Sequence, residues 1–141
     1  MRAARAAWPL LAARQGTVVN VVGAGGRTPG AEFAVGGSVN AALLSLTKAL
    51  AERGVADGVQ VVAVNPGPVR TERLTMLVRS RAEREGIDTE EAVRRMAAEA
   101  RITRVGEPED VAALVAFVAS PEGRLVHGAL IDIDGGMTKT I

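Results

Sequence analysis

Few side chains in this sequence are suited to acid–base or nucleophilic chemistry. Its 141 residues include a single histidine, His127, and neither cysteine nor tyrosine. A lone histidine just before a strand is typical of a solvated loop residue when no orienting partner is recognisable near it. Ser38 and Ser45 also lack a partner base, and Ser38 is better interpreted as the cap of the helix that follows it. Because cysteine is absent, disulfides, thiolate catalysis and zinc–cysteine sites are excluded, and no metal site is expected.

A glycine-rich loop, residues 23–26 (GAGG), follows the apolar run at 17–22 and invites a phosphate-binding interpretation. A G-x-G-x-x-G pattern that begins at Gly23 needs glycine at position 28, where the sequence has Thr28. Pro29 lies inside the loop, no helical stripe starts directly after it, and no convincing ribose-binding acid follows. The spacing favours a flexible connection over a dinucleotide-binding loop.

The overall composition is that of an ordinary soluble globular protein. Hydrophobic residues make up 48% of the chain and charged residues 23%, so a core and a solvated surface can both form. The net charge of +1 gives no reason to expect nucleic acid or an anionic membrane as a partner. No stretch approaches the ~20 apolar residues of a membrane helix, and Pro9 interrupts an apolar run too short for a targeting peptide. We therefore expect a cytoplasmic protein.

Strand-like and helix-like segments alternate along the chain. Apolar runs at 17–22, 59–64 and 129–133 are typical of strands that are covered on both faces of a parallel sheet. Val39, Leu43, Leu46 and Leu50 form an apolar helical stripe, and Gly54 stands where a helix-terminating glycine is expected. Further helices are predicted at 2–14, near 88–100 and from Pro108. The alternation predicts one α/β domain over residues 1–141.

Five segments resemble short-chain dehydrogenases/reductases in order and spacing. They are 16–20 (GTVVN), 40–51 (NAALLSLTKALA), 61–71 (VVAVNPGPVRT), 104–112 (RVGEPEDVA) and 128–136 (GALIDIDGG). Together they cover nearly the whole chain and resemble the carboxyl-terminal half of the family's domain. The resemblance implies a partial doubly wound, Rossmann-like parallel sheet of about three strands with flanking helices. It also implies that the helical insert at about 71–103 corresponds to the family's substrate lid.

The same resemblance places the family's catalytic serine, tyrosine and lysine at Gly23, Gly36 and Asn40. In the family the tyrosine is the general acid/base, the lysine lowers its pKa and holds the ribose, and the serine steadies developing charge. Glycine has no proton to give, and Asn40 could hydrogen-bond a ribose hydroxyl but carries no charge. Loss of one positioned acid/base typically costs about 10²–10⁴-fold in rate. We therefore expect no catalytic residue in this chain.

The resemblance implies NAD or NADP as the cofactor. Pro66, Gly67, Val69 and Thr71 match the family's turn beside the nicotinamide, although a strand-terminating turn accounts for them equally well. The family's first four strands and its pyrophosphate-binding loop lie in the half that this chain does not match. Tight cofactor binding by this chain alone is therefore not expected, and neither the substrate nor a choice between NAD and NADP is indicated.

Alternative functions remain open at this point. The first is a truncated or degenerate family member without independent catalysis, acting as a homo-oligomerising or partner-binding module, because the strand at 17–22 would leave an open edge. The second is an NAD(P)-dependent carbonyl or hydroxyl oxidoreductase whose cofactor-binding half comes from a complementing chain or an upstream start. A small-molecule-binding regulator on the same scaffold is a third.

Overall fold

A three-stranded parallel sheet forms the centre of the fold. The structure, a computed structural model, describes residues 2–28 and 30–139, so Met1, Pro29 and residues 140–141 lie outside it. The strands lie in the order β1 (Thr17–Val21), β2 (Gln60–Pro66) and β3 (Leu130–Ile133). Both pairings are parallel. This arrangement confirms the predicted α/β class and the number of strands.

Five helices surround the sheet. They are α1 (Arg2–Ala13), α2 (Ala34–Asp57), α3 (Glu72–Glu85), α4 (Thr89–Ala100) and α5 (Pro108–Ala119). The chain also forms short 3-10 turns at 24–26, 31–33 and 121–123.

Helix α2 differs from its prediction at both ends. It begins at Ala34, four residues before the expected cap at Ser38, and Ser38 lies inside it, where its hydroxyl donates to the Ala34 carbonyl. It ends at Asp57 and is capped by Gly58, which adopts φ 70°, so the terminating glycine is Gly58 and not Gly54. Gly54 is needed for a different reason, because a Cβ there would overlap the Val59 carbonyl oxygen.

Helices cover both faces of β2. Val59 and Val61 pack with Trp8 of α1 and Ala51 of α2 in one buried cluster. The alternate residues, which include the fully buried Val62, face the opposite side, where α5 packs against β1 and β2. Each buried valine contributes about 1.5–3 kcal/mol to folding. The continuous apolar run in the sequence therefore reflects a doubly covered strand.

Helix α2 is also long and apolar enough to cross a membrane, by length and composition alone. The expectation that no stretch reaches this threshold was therefore wrong. One side of α2 packs along β2 and buries Leu44, Thr47 and Ala51. Val35, Val39 and Val55 are exposed on the same helix.

His127 has a structural position instead of the solvated one predicted for it. Its Nδ1 accepts a hydrogen bond from the Val61 backbone N–H at 3.2 Å, and its Nε2 donates to the Ala51 carbonyl at 2.8 Å. The imidazole therefore bridges β2 and α2 as the neutral Nε2–H tautomer.

The insert at about 71–103 forms a helical hairpin with its own small core. Val78 and Ala82 of α3 pack against Ala92 of α4. Arg81 joins the two helices because its guanidinium contacts Glu85 at 2.8 Å and Glu99 at 2.6 Å. The helical nature of the insert agrees with the prediction, while its role as a substrate lid stays a prediction.

Candidate functional site

An open groove of about 620 Å³ lies at the carboxyl ends of the strands. In open parallel sheets this edge is the usual place for a ligand, because the loops after neighbouring strands meet there. All four residues predicted to approach a nicotinamide, Pro66, Gly67, Val69 and Thr71, line this groove. The structure therefore brings them together.

The turn after β2 is fixed by backbone contacts. Gly67 N–H donates to the Ile133 carbonyl at 3.2 Å, and Gly106 N–H donates to the Pro68 carbonyl at 2.9 Å. Arg70 N–H donates back to the Gly106 carbonyl at 2.8 Å, which closes a short parallel bridge between Val69 and Gly106. The segment therefore presents a rigid wall whose shape depends little on its side chains.

Glycine is required at position 67 by close packing. A Cβ there would lie 2.8 Å from the Cα of Asp134 and 2.9 Å from its Cβ. Non-bonded carbon atoms are essentially never this close. A backbone atom also cannot move away as readily as the end of a flexible side chain. The turn after β2 therefore rests directly on the turn after β3.

Asp134 is a supporting residue that the sequence analysis did not single out. Its buried carboxylate accepts backbone N–H bonds from Gly136 at 2.9 Å, Met137 at 3.2 Å and Thr138 at 2.8 Å. Burial acts to raise the pKa of Asp134, but hydrogen bonds from Thr138, Gly136 and Met137 outweigh it, so the net direction is downward. The carboxylate therefore holds the turn after β3 in its ionised form.

Gly23 and Asn40 both line the groove. Gly23 adopts φ 124°, a backbone conformation that favours glycine. A Cβ at Gly23 would lie 3.3 Å from Nδ2 of Asn40 and 4.0 Å from the Pro66 carbonyl oxygen. The positions that match the family's serine and lysine are therefore adjacent, but neither carries an ionisable group.

At Gly36, the space that a side chain would fill is occupied by the side chain of another residue. A Cβ built on Gly36 would overlap the Phe33 ring. The same ring lies 3.1 Å from where a Gly25 Cβ would be, and 43% of Phe33 is exposed. The Phe33 ring therefore packs over both Gly25 and Gly36, and Gly36 is the position that resembles the family's tyrosine. The sequence analysis missed it, although an aromatic residue is conspicuous in a chain with 2% aromatics.

The chemistry available to the groove follows from its lining. None of the described residues that line it is Asp, Glu, His, Lys or Arg. Asn40 and Thr71 supply its polar side chains, and neither can exchange a proton with a ligand near neutral pH. The groove can therefore bind neutral polar and apolar groups, but it has no general acid or base.

The other candidate features do not form a catalytic set. Within residues 2–28 and 30–139, no cluster of three or more His, Cys, Asp or Glu residues is placed to hold a metal ion. A separate cavity of about 410 Å³ is lined by residues of α3 and α4, which include Val78 and Arg94, and by Arg70. Both arginines are paired, Arg70 with Glu107 and Arg94 with Glu91.

Comparison with known proteins agrees with this geometry. The family model described as Enoyl-(Acyl carrier protein) reductase matches residues 1–138. The chain is 32% identical over 126 residues to NADPH-dependent reductase BacG of Bacillus subtilis (strain 168), a match that covers 89% of this chain and 49% of BacG.

Solved structures of similar proteins have the same fold. L-sorbose reductase from Gluconobacter frateurii, complexed with NADPH and L-sorbose, superposes with a TM-score of 0.91 at 26% identity over 98% of this chain and 53% of its own. A short chain oxidoreductase from Pseudomonas aeruginosa PAO1, described as containing an atypical catalytic center, superposes with a TM-score of 0.89 at 26% identity, with the same coverage of 98% and 53%.

These matches have two consequences. The chain spans about half the length of the relatives that it matches. The family model covers nearly all of this chain, and the strand order and helix positions agree with the family's fold. The chain therefore belongs to the short-chain dehydrogenase/reductase family.

Proposed function

We propose that this chain forms the nicotinamide side of an NAD(P) site and has no independent oxidoreductase activity. The single observation that carries the proposal is the neutral groove, because none of its described lining residues is Asp, Glu, His, Lys or Arg. Gly23 and Asn40 line it at positions that resemble the family's serine and lysine, and the Phe33 ring packs over Gly36, the position that resembles the tyrosine. The family supplies hydride chemistry through its cofactor, but the protein must still deliver a proton to the substrate oxygen.

The residues present fit one end of the dinucleotide. The turn from Pro66 to Thr71 and the uncharged lining suit a flat nicotinamide ring. The pyrophosphate is not matched, because the groove lining carries no cation and no glycine-rich strand-to-helix turn of the required spacing. We therefore expect this chain to need a second polypeptide segment to bind the dinucleotide tightly.

The open edge of the sheet supports association with such a segment. Within the described residues β1 pairs only with β2, so its other edge carries free backbone donors and acceptors. Val21 at the end of β1 is 57% exposed, and Phe117 of α5 is 48% exposed. A second copy of this chain or a complementing chain that covers this edge is therefore the expected partner, in the cytoplasm.

Activity and cofactor titrations test the proposal. The purified chain, mixed with NADPH and a panel of ketones and enoyl thioesters, should consume no NADPH above the rate without protein. Calorimetric titration with NADPH and NADH should show no micromolar binding. Turnover at the rate of an ordinary carbonyl reductase, or micromolar binding by the chain alone, would contradict it.

The second candidate function is an NAD(P)-dependent oxidoreductase that is completed by another chain. It is favoured by the intact turn at 66–71, which resembles the family's nicotinamide wall. NADPH oxidation that appears only after a complementing chain is added would support this candidate. Light scattering after gel filtration shows whether the edge of β1 is covered, because a stable monomer would contradict the association.

A further inference from the structure

The two edges of the sheet differ in what they offer to a further strand. On β1, the Gly16 carbonyl and the Val22 N–H both bond to β2, at 3.0 Å and 2.8 Å. Backbone groups of successive residues point alternately to the two sides of a strand, so those of Thr17, Val19 and Val21 point away from β2. Within residues 2–28 and 30–139, β1 pairs only with β2, and these outward groups are left for a partner.

The β3 edge is closed by a charged pair. The Ala129 and Ile133 carbonyls point toward β2, where they accept N–H bonds at 2.9 Å and 3.2 Å, so the Leu130 carbonyl points to the free edge. Arg27 donates to this carbonyl from Nη2 at 3.3 Å, and its Nε lies 3.5 Å from Oδ1 of Asp132. β3 is also only 4 residues long. Short strands and charged side chains at an edge both oppose strand pairing.

The β1 edge is complementary to itself. Two identical strands that meet across a two-fold axis pair antiparallel. If Val19 lies on that axis, Thr17 of each copy lies opposite Val21 of the other. Residues two apart in an antiparallel ladder form the same kind of pair, so all of these outward groups would be hydrogen-bonded to the second copy. One register therefore satisfies the whole edge.

The side chains of β1 favour a second copy as its partner. The strand, Thr17–Val21 (TVVNV), contains no charged residue and no proline. Most of its residues are β-branched and favour strands, and Val21 at its end is 57% exposed. Like charges directly opposite each other destabilise a strand pair, and two copies of β1 bring none together.

We infer that two copies of this chain join β1 to β1 in one continuous sheet, and that Arg27 and Asp132 stop the assembly at two copies. A contact between β1 of one copy and β3 of the next would repeat without closing and build a filament. The closed β3 edge prevents that contact. This inference rests on the association in the proposed function, and it names the partner and the register of the open edge.

Analytical ultracentrifugation of the full chain over a range of concentrations tests the pairing. The wild type should dimerise with a dissociation constant on the order of 10 μM, as expected of a small interface. Val21→Lys places a charge at the paired edge and should weaken the dimer at least about tenfold. Val55→Lys adds the same charge at an exposed position of α2 and should dimerise like the wild type. A monomeric wild type, or equal effects of the two variants, would overturn the inference.

Disulfide cross-linking tests the register, because the chain contains no cysteine of its own. Residues in a hydrogen-bonded antiparallel pair have Cα atoms about 5.5 Å apart, within reach of a disulfide. A mixture of Thr17→Cys and Val21→Cys chains should therefore form disulfide-linked dimers under mild oxidation. Either variant alone should cross-link at least about tenfold more slowly, because identical positions then lie too far apart. Equal rates for the mixture and the separate variants would contradict the register.

Arg27→Ala tests the closed edge. Loss of the guanidinium leaves the Leu130 carbonyl open, so light scattering should detect assemblies larger than two copies. Arg27→Lys keeps a cation at this edge and should remain a dimer. Adding Val21→Lys to Arg27→Ala should abolish the larger assemblies, because they need the β1 edge as well. An Arg27→Ala chain that stays dimeric, or larger assemblies that persist in the double variant, would show that Arg27 does not limit the assembly.

The two proposals can fail separately. If the chain dimerises through β1 while it also oxidises NADPH, the proposed lack of turnover fails and the dimer stands. If the wild type stays monomeric, or the cross-links form in another register, the dimer is wrong and the proposed lack of turnover still stands.

Discussion

Two walls of the same groove are built in different ways. The wall formed by residues 66–71 consists of backbone, held by hydrogen bonds to Gly106 and Ile133 and by close packing on Asp134. The opposite wall includes Gly23, Gly25 and Asn40 and depends on side chains for any chemistry, and two of these three positions have no side chain. The backbone wall is fixed by these contacts, whereas none of the described residues that line the groove is Asp, Glu, His, Lys or Arg.

The comparison separates binding from catalysis. A fixed backbone turn can contact a ring with almost any neighbouring side chains, whereas proton transfer needs a particular ionisable group within hydrogen-bond distance. A protein can therefore keep the shape of a binding wall while it lacks a group that transfers protons. Fold membership alone does not decide the activity.

The largest expected effect tests the rigidity of the backbone wall. Gly67→Ala should lower the free energy of unfolding by about 3 kcal/mol, because the new Cβ would collide with the Asp134 backbone. The effect is measured by urea denaturation monitored by circular dichroism. Gly30→Ala is the control, since no atom lies within 4 Å of a Cβ at that position. A loss below about 0.5 kcal/mol would show that the two turns can move apart at little cost in free energy.

The second effect tests what Asp134 contributes to the same wall. Asp134→Asn should cost about 2 kcal/mol, because an amide accepts the three backbone N–H bonds less strongly and presents its own donors to one of them. Denaturation at pH 7 measures the loss. A variant as stable as the wild type would mean that the turn after β3 holds without the charge.

The stability difference between the wild type and Asp134→Asn should depend on pH. The folded pKa of Asp134 is lowered, so its stabilising contribution is fully present above the ordinary aspartate value of about 3.9 and is lost as the pH falls through the lowered value. The gap in stability between wild type and Asp134→Asn should therefore narrow as the pH falls below about 4. A gap that stays constant down to pH 2 would contradict the assignment.

The sequence predicts the backbone wall far better than it predicts the side-chain wall. The apolar runs locate all three strands within two residues, because a strand covered on both faces must be continuously hydrophobic. The Pro66–Gly67 pair marks a turn by local chemistry alone. By contrast, nothing local places the Phe33 ring over Gly36, because that contact forms only when α2 packs on the sheet. Gly36 and Gly37 also make the start of α2 hard to predict from the sequence, because glycine disfavours helices.

The third effect tests whether Phe33 and Gly36 are coupled. Gly36→Ala alone should change stability by no more than about 0.5 kcal/mol, because the gain from alanine in a helix offsets the displacement of the Phe33 ring. In a Phe33→Ala background, the same substitution should stabilise the protein by about 0.5–1 kcal/mol. The double-mutant cycle measures the coupling directly, and additive effects would mean that the ring does not occupy this place.

The last test distinguishes two asparagines by their partners. Asn20 of β1 donates from Nδ2 to the Thr47 hydroxyl at 2.9 Å, whereas no hydrogen bond to another described residue holds the Asn40 side chain. Asn20→Ala should therefore cost about 1 kcal/mol, and Asn40→Ala should change the free energy of unfolding by less than about 0.5 kcal/mol. Thermal denaturation of the two variants side by side measures the difference. Equal losses would mean that Asn40 supports the fold, whereas a neutral Asn40→Ala is expected of a side chain that no described residue holds.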